Sequence, residues 1–311
     1  MYQQWITAAI AFTITFAGIF INVSVIYAIN KTPSMSGSFG IITKSQVVCN
    51  MIMCSIYVVS VLPLQLSSLS HFIPISHYFG TAAQTVYEIS NLSHFLNALN
   101  RCCAVFMPLW YTQIFSNPKT IFYRNFLWIF SIIFTISICE IFQCFLVYAP
   151  NFWNFQFVID PVCEDITWYL DFVFNGSIML VTLFIDLLVA YKARKHSKAL
   201  PVGSEYLKVL RKRDWNFVRQ TFLQIANFCG VFSFYVVAPR ISDDWIILKF
   251  FVISLWVFMH ALDGAIIMAS NDELRDVYKK SKLSAVAKIV LILSESVMAH
   301  SPILYIVQTR L

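Results

Sequence analysis

The chain has 311 residues, 59% of them hydrophobic and only 12% charged, with 29 Phe and a formal net charge of +6. A water-soluble domain averages roughly 25% charged residues, so a soluble globular fold, a disordered chain, a collagen, a coiled coil and a small disulfide scaffold are all excluded. The excess of Lys and Arg is confined to a few loops, which is the bias of a membrane protein and not that of a nucleic-acid binder.

A hydrocarbon core about 30 Å thick takes roughly 20 apolar residues at about 1.5 Å each. In chain order, seven segments meet this requirement: Trp5–Ile29, Ser45–Leu69, Gly80–Phe106, Phe122–Ala149, Tyr169–Ala190, Phe217–Ala238 and Trp245–Ala269. The first lacks a basic leader and is too long for a signal-peptide core, so it reads as a retained span. The fold class expected is an all-α, integral-membrane bundle of seven helices. Residues 1–282 are expected to form one membrane domain, and 283–311 a tail. That tail is apolar but broken by Lys288, Glu295, His300 and Pro302. The breaks favour an interfacial helix, or an aberrant gene end, over an eighth span.

The connections alternate in charge. Lys31, Lys44, Arg101, Lys119 and Arg124 fall on one side, with the cluster from Lys192 to Arg219 and with Arg275, Lys279, Lys280 and Lys282. Asp160, Glu164, Asp165, Asp171, Asp243 and Asp244 collect on the other. The positive-inside bias then puts the N-terminus outside and the C-terminus in the cytoplasm. The eight Cys lie mostly in apolar stretches without C-x-x-C spacing, and read as small buried side chains.

The third segment ends in Asn100-Arg101-Cys102-Cys103-Ala104-Val105-Phe106-Met107-Pro108-Leu109-Trp110-Tyr111. This resembles the D-R-Y-x-A-[IV]-x-x-P-L-x-Y signature of rhodopsin-like G-protein-coupled receptors, matching at Arg101, Ala104, Val105, Pro108, Leu109 and Tyr111. The resemblance implies a G-protein coupling and activation element at Asn100, Arg101, Pro108 and Tyr111. The plain alternative is an Arg that snorkels to anchor the helix end. Asn100 replaces the acidic neighbour of the arginine, so Arg101 lacks its usual intrahelical partner, and raised basal activity is an expectation. Asn22-Val23-Ser24-Val25, Trp128 and Leu274-Arg275 stand where that family places span-1, span-4 and helix-8 landmarks. Asn50 stands in place of the span-2 aspartate, and Asp263-Gly264 in place of the span-7 Asn-Pro. A buried carboxylate needs donors. Asn22 and Asn50 are expected to supply them to Asp263, as a polar switch or as a structural hydrogen-bond cluster.

Ser38-Phe39-Gly40-Ile41-Ile42-Thr43-Lys44-Ser45-Gln46, Gln113-Ile114-Phe115-Ser116 and His260-Ala261-Leu262-Asp263-Gly264 narrow the resemblance to nematode serpentine chemoreceptors of class X. It covers residues 1 to about 280. It implies a plasma-membrane receptor, in cilia of sensory neurons, that binds an environmental or pheromone-like small molecule and activates a heterotrimeric G protein.

Acids inside spans are functional candidates because they are costly there. Among them, Glu88 lies near the middle of span 3, Glu140 in the mid-to-outer part of span 4 and Asp186 near the inner end of span 5. Glu88, with Gln84 and Tyr87 on adjoining turns, is a candidate ligand contact, or it bonds to a neighbouring Ser, Asn or His. Phe174, Phe232, Tyr235 and Trp256 are candidate aromatic walls, or ordinary helix packing. By the same resemblance, Ser76 takes the place of the cysteine at the top of span 3, leaving Cys163 without its usual partner. Span 7 has no lysine placed for a chromophore Schiff base. No phosphate loop, metal cluster or nucleophile–base pattern is present, so neither a cofactor nor catalysis is expected. The basic loop reads as a G-protein contact, as a topology signal that attracts anionic lipid, or as both. The rival classes are a seven-span ligand-gated channel or transporter, and a receptor-like chain that cannot signal.

Overall fold

The computed structural model describes residues 2–66, 70–158, 160–199, 216, 219–231, 233, 245–280 and 292. Long helices run through α1 (Tyr2–Lys31), α2 (Ser38–Leu66), α3 (Ser76–Phe106), α5 (Asn117–Ile141), α6 (Pro161–Ala199), α7 (described over 219–231) and α8 (Ile246–Ser270). Two short helices, α4 (Pro108–Ile114) and α9 (Asp272–Lys280), lie at the Arg101 end. The expected tail 283–311 lies outside the described residues, Ile292 excepted, as does most of the basic loop after Ala199.

Four described helices are long and apolar enough to cross a bilayer: Gln3–Lys31, Ser38–Leu66, Asn117–Ile141 and Pro161–Lys195. Their outward faces carry Phe12, Phe16, Phe122, Phe126, Ile129, Ile133, Leu180 and Phe184, all exposed, as a lipid-facing surface requires. The third helix is different. It is 31 residues long, yet it buries Thr81, Gln84, Glu88, Ser90, Asn91, Ser93, Asn97 and Asn100. It escapes the cost because α2, α5, α6 and a hairpin surround it.

Close helix contact is made by small residues. Gly18 on α1 leaves no room for a Cβ against Cys54 and Ala261. Thr13 and Thr15 return their hydroxyls to the carbonyls of Ala9 and Ala11, which keeps them satisfied in an apolar helix. Pro63 lacks an N–H, and α2 takes up the resulting register change in a π turn over Tyr57–Val61.

The fourth expected span, to Ala149, is too long. Its helix ends at Ile141, and Gln143 turns the chain with φ 59°. The apolar run that follows is a strand pair, β1 (Leu146–Ala149) with β2 (Asn154–Phe157), in register Leu146↔Phe157 and Tyr148↔Phe155. Leu146, Tyr148 and Phe155 point into the bundle and join Tyr57, Ala83 and Val257 in its main apolar cluster. Among the described residues the bundle is thus helical except for this hairpin, which covers the end opposite Arg101. Ser76 accepts a hydrogen bond from the Tyr148 N–H at 2.9 Å, holding the hairpin where the receptor resemblance implied a cysteine.

The view of all the cysteines as isolated buried side chains is corrected at two of them. Cys144 and Cys163 form a disulfide that joins the end of α5 to the start of α6. α6 itself starts earlier than expected, at Pro161, because Asp160 caps it by accepting from the N–H groups of Val162 and Cys163.

Cross-linking a loop of this length stabilises a fold by about 3 kcal/mol. Cys163→Ser should therefore lower the unfolding temperature of the purified chain in lipid nanodiscs, and dithiothreitol should lower the wild type to the same value. An equal midpoint in wild type and variant would contradict the cross-link.

Candidate functional site

At the Arg101 end, the last turns of α3 lie against α6. Arg101 and Asp186 are both nearly buried and form a forked ion pair. Arg101 Nη2 donates to Asp186 Oδ1 at 2.8 Å and to Oδ2 at 3.0 Å, and Nε donates to Oδ1 at 3.1 Å. Charge-assisted, two-pronged pairs of this kind are the strongest side-chain hydrogen bonds. The arginine therefore has an acidic partner after all, supplied across the bundle instead of at position 100. The expectation of raised basal activity loses its ground.

Beside this pair, α4 places Tyr111 against Asn100 and Ser38. Burial raises the Tyr111 hydroxyl above its usual range, while hydrogen bonding with Ser38 and Asn100 pulls the other way. The Ser38 hydroxyl also reaches the Phe115 carbonyl, which ties α2 to the turn after α4. Pro108 opens α4, and Leu109 and Trp110 stand exposed on it. Lys192 lies 4.0 Å over the Phe106 ring. Trp128 donates to Ser45 at 2.8 Å, and Asn97 to Gln46 at 2.8 Å, tying α5 and α3 to α2. Asn271 caps α9, whose Leu274 is wholly buried and whose Tyr278 donates to the Ser24 carbonyl.

Mid-bundle, Asp263 of α8 is buried and accepts from Asn50 at 2.7 Å through Oδ2 and from Gln224 at 2.8 Å through Oδ1. His94 Nε2 stands 3.8 Å from Oδ1, and His260 Nδ1 is 2.8 Å from Asn50 Oδ1. Asn22 departs from the expected role of donor to Asp263. It donates to the Gly18 carbonyl at 2.8 Å and to the His260 carbonyl at 3.4 Å. Its own Oδ1 faces Gly264, where a Cβ would strike it. The three predicted residues gather in one layer, and Gln224, His94 and His260 join them.

Towards the hairpin, Glu88 and Asp171 lie side by side. Gln84 donates to both, at 3.3 and 2.7 Å, and Asn175 donates to both, at 2.6 and 3.0 Å. Asn91 holds the Asn175 carbonyl oxygen at 2.5 Å. Asp171 sits in a π turn of α6, Thr167–Val173. Of the predicted aromatic walls, Trp256 meets Tyr57 edge to face, and it also meets Tyr87, a predicted ligand contact, at 5.9 Å. Phe174 instead packs on Phe134 of α5 at 5.1 Å. Phe232 and Tyr235 lie outside the described residues. Between the two polar layers is a small recess lined by Asn91, His94, Met179, Thr182, Gln224, Ile225 and Phe228.

Sequence reasoning noticed Asp186 and Asp171 but did not pair them, and it missed Asn91, Asn175, His94 and Gln224. A usable signal existed in α3. Gln84, Glu88, Asn91 and His94 recur at three- and four-residue spacing, a polar stripe on one helix face.

Gly264→Ala should push a methyl group onto the Asn22 carbonyl oxygen and cost about 1–3 kcal/mol by overpacking. Thermal unfolding in nanodiscs should show a lower midpoint, with Gly37→Ala, where a Cβ meets nothing, unchanged.

Residues 12–271 match the family described as "Serpentine type 7TM GPCR chemoreceptor Srx". The chain is 26% identical over 267 residues to "Serpentine receptor class X-43" of Caenorhabditis elegans, covering 83% of this chain and 81% of that one. It is 24% identical over 301 residues to "Serpentine receptor class X 45" of the same organism, covering 88% and 81%. These relatives belong to a receptor class and not to an enzyme family. With the family match spanning most of its length, the chain belongs to the serpentine seven-transmembrane chemoreceptors of class X.

Proposed function

We propose that this chain is a chemosensory receptor of the plasma membrane, with its N-terminus outside, in which a small molecule controls a heterotrimeric G protein. The observation that carries the reading is the buried ion pair of Arg101 with Asp186, at the end of the bundle where the basic loops lie. Breaking such a pair on one side strands a buried charge and costs roughly 3–5 kcal/mol. The pair is therefore a strong brake on separating α3 from α6, and a ligand acts by binding the separated state better.

In this reading Asn100, Arg101, Pro108 and Tyr111 form the G-protein-facing end. Asn22, Asn50 and Asp263, with Gln224, His94 and His260, form a polar relay between that end and the ligand. Gln84, Tyr87, Glu88 and Trp256 border the ligand, which lies between α3, α6, α7 and α8. The positive-inside bias and the class-X relatives support the orientation and the partners. Residence in the cilia of sensory neurons is part of the same proposal. A single domain over residues 1–282, with 283–311 as its tail, completes the proposal.

The test is a G-protein activation reporter in cells expressing the full chain, at matched surface level. Asp186→Asn should release Arg101 and raise basal signalling several-fold, and Arg101→Ala should abolish signalling in either background. Basal and odorant-evoked signals indifferent to both substitutions would contradict the reading.

A further inference from the structure

The paired carboxylates of Glu88 and Asp171 form a polar cluster whose internal partners run out. Each side-chain amide has two N–H donors. Gln84 spends its two on Glu88 Oε1 and Asp171 Oδ1, and Asn175 spends its two on the same two oxygens. The Asn175 amide cannot turn, because Asn91 fixes its carbonyl oxygen. Glu88 Oε2 is then left buried, in a residue only 1% exposed, with no hydrogen-bond partner. Among the described residues, no Lys or Arg forms an ion pair with either carboxylate. The cluster therefore lacks two things at once: a donor for Oε2 and positive charge to offset two acids at membrane depth.

We propose that the Glu88–Asp171 pair is the recognition point for the cationic nitrogen of a protonated amine ligand. This rests on the receptor reading above and adds the chemical class of the ligand. A protonated primary amine supplies both missing elements in one group, with three N–H donors and a unit charge. Glu88 Oε2 takes one donor, and Asp171, which is partly exposed, takes another. An alcohol of the same shape brings a donor without the charge, and a carboxylic acid adds a third negative group. Selectivity should therefore follow charge more than shape. The π turn at Thr167–Val173 shifts the register of α6 beside Asp171, and such turns are frequent at functional sites.

The experiment is thermal unfolding of the full chain in lipid nanodiscs against a panel of primary alkyl and aryl amines, each compared with the alcohol of the same skeleton. Binding is read directly, so the result does not depend on G-protein coupling. At least one amine should raise the midpoint where its alcohol does not. Glu88→Gln and Asp171→Asn should each weaken that amine at least tenfold, while the variants without ligand remain folded. Three outcomes would overturn the proposal: no amine outperforms its alcohol, the shift survives in both neutral variants, or the variants alone raise the midpoint as much as any amine. The last would mean that the pair only stores a proton. Failure of the signalling test alongside a charge-selective shift would sink the receptor reading and leave the amine site standing.

Discussion

A helix that carries glutamate, arginine, histidine and several asparagines can lie inside a membrane only if the rest of the protein supplies its hydrogen-bond partners. Lipid offers none, and each group left bare costs several kcal/mol. Most of the architecture around α3 answers this requirement. Asp186 meets Arg101, Asn175 and Gln84 meet Glu88, Gln46 meets Asn97, and the hairpin covers the first turn through Ser76. Apolar packing fills the remaining volume, with Tyr57, Val86, Ile89 and Phe155 in one cluster. Individual buried hydrogen bonds are worth only about 0.5–1.5 kcal/mol net. Their importance lies in the penalty for removing one partner, which fixes the relative placement of α2, α3 and α6.

That arrangement has a consequence for switching. The acid pair near the hairpin, the Asp263 layer and the Arg101–Asp186 pair lie one after another along α3. Asn91 joins the first to the recess, and His94 and Gln224 join the recess to Asp263. A shift of α3 or α6 at the acid pair cannot be absorbed by one bond alone, because Gln84 and Asn175 already have both amide protons committed. The proposed signal is thus a change between two satisfied arrangements and not a gradual loosening.

The spans were legible in the sequence because length, hydropathy and loop charge are local properties. The Arg101 motif was legible because its residues sit at fixed spacing. Pairings between distant elements were not. Asp186 was visible as an intramembrane acid, but nothing in its neighbourhood says that its face of α6 meets Arg101. The hairpin was misread as helix because Leu146, Val147, Tyr148 and Ala149 are all apolar, and a short apolar run does not announce its period. The Cys144–Cys163 bond was hidden for the same reason, since placing Cys144 inside a span kept it away from Cys163. Asn22 shows the limit at the finest scale. Its layer was predicted, but its bonds to the carbonyls of Gly18 and His260 depend on how closely α1 and α8 approach at Gly264.

The claim beneath all of this is that the buried charge of Arg101 on α3 is matched across the bundle by Asp186. A double-substitution cycle on unfolding in nanodiscs tests it most directly, with Arg101→Leu, Asp186→Leu and the two together. Either single change should lower the midpoint sharply by stranding a buried charge, and the double variant should recover most of the loss. Losses that simply add in the double variant would contradict the account.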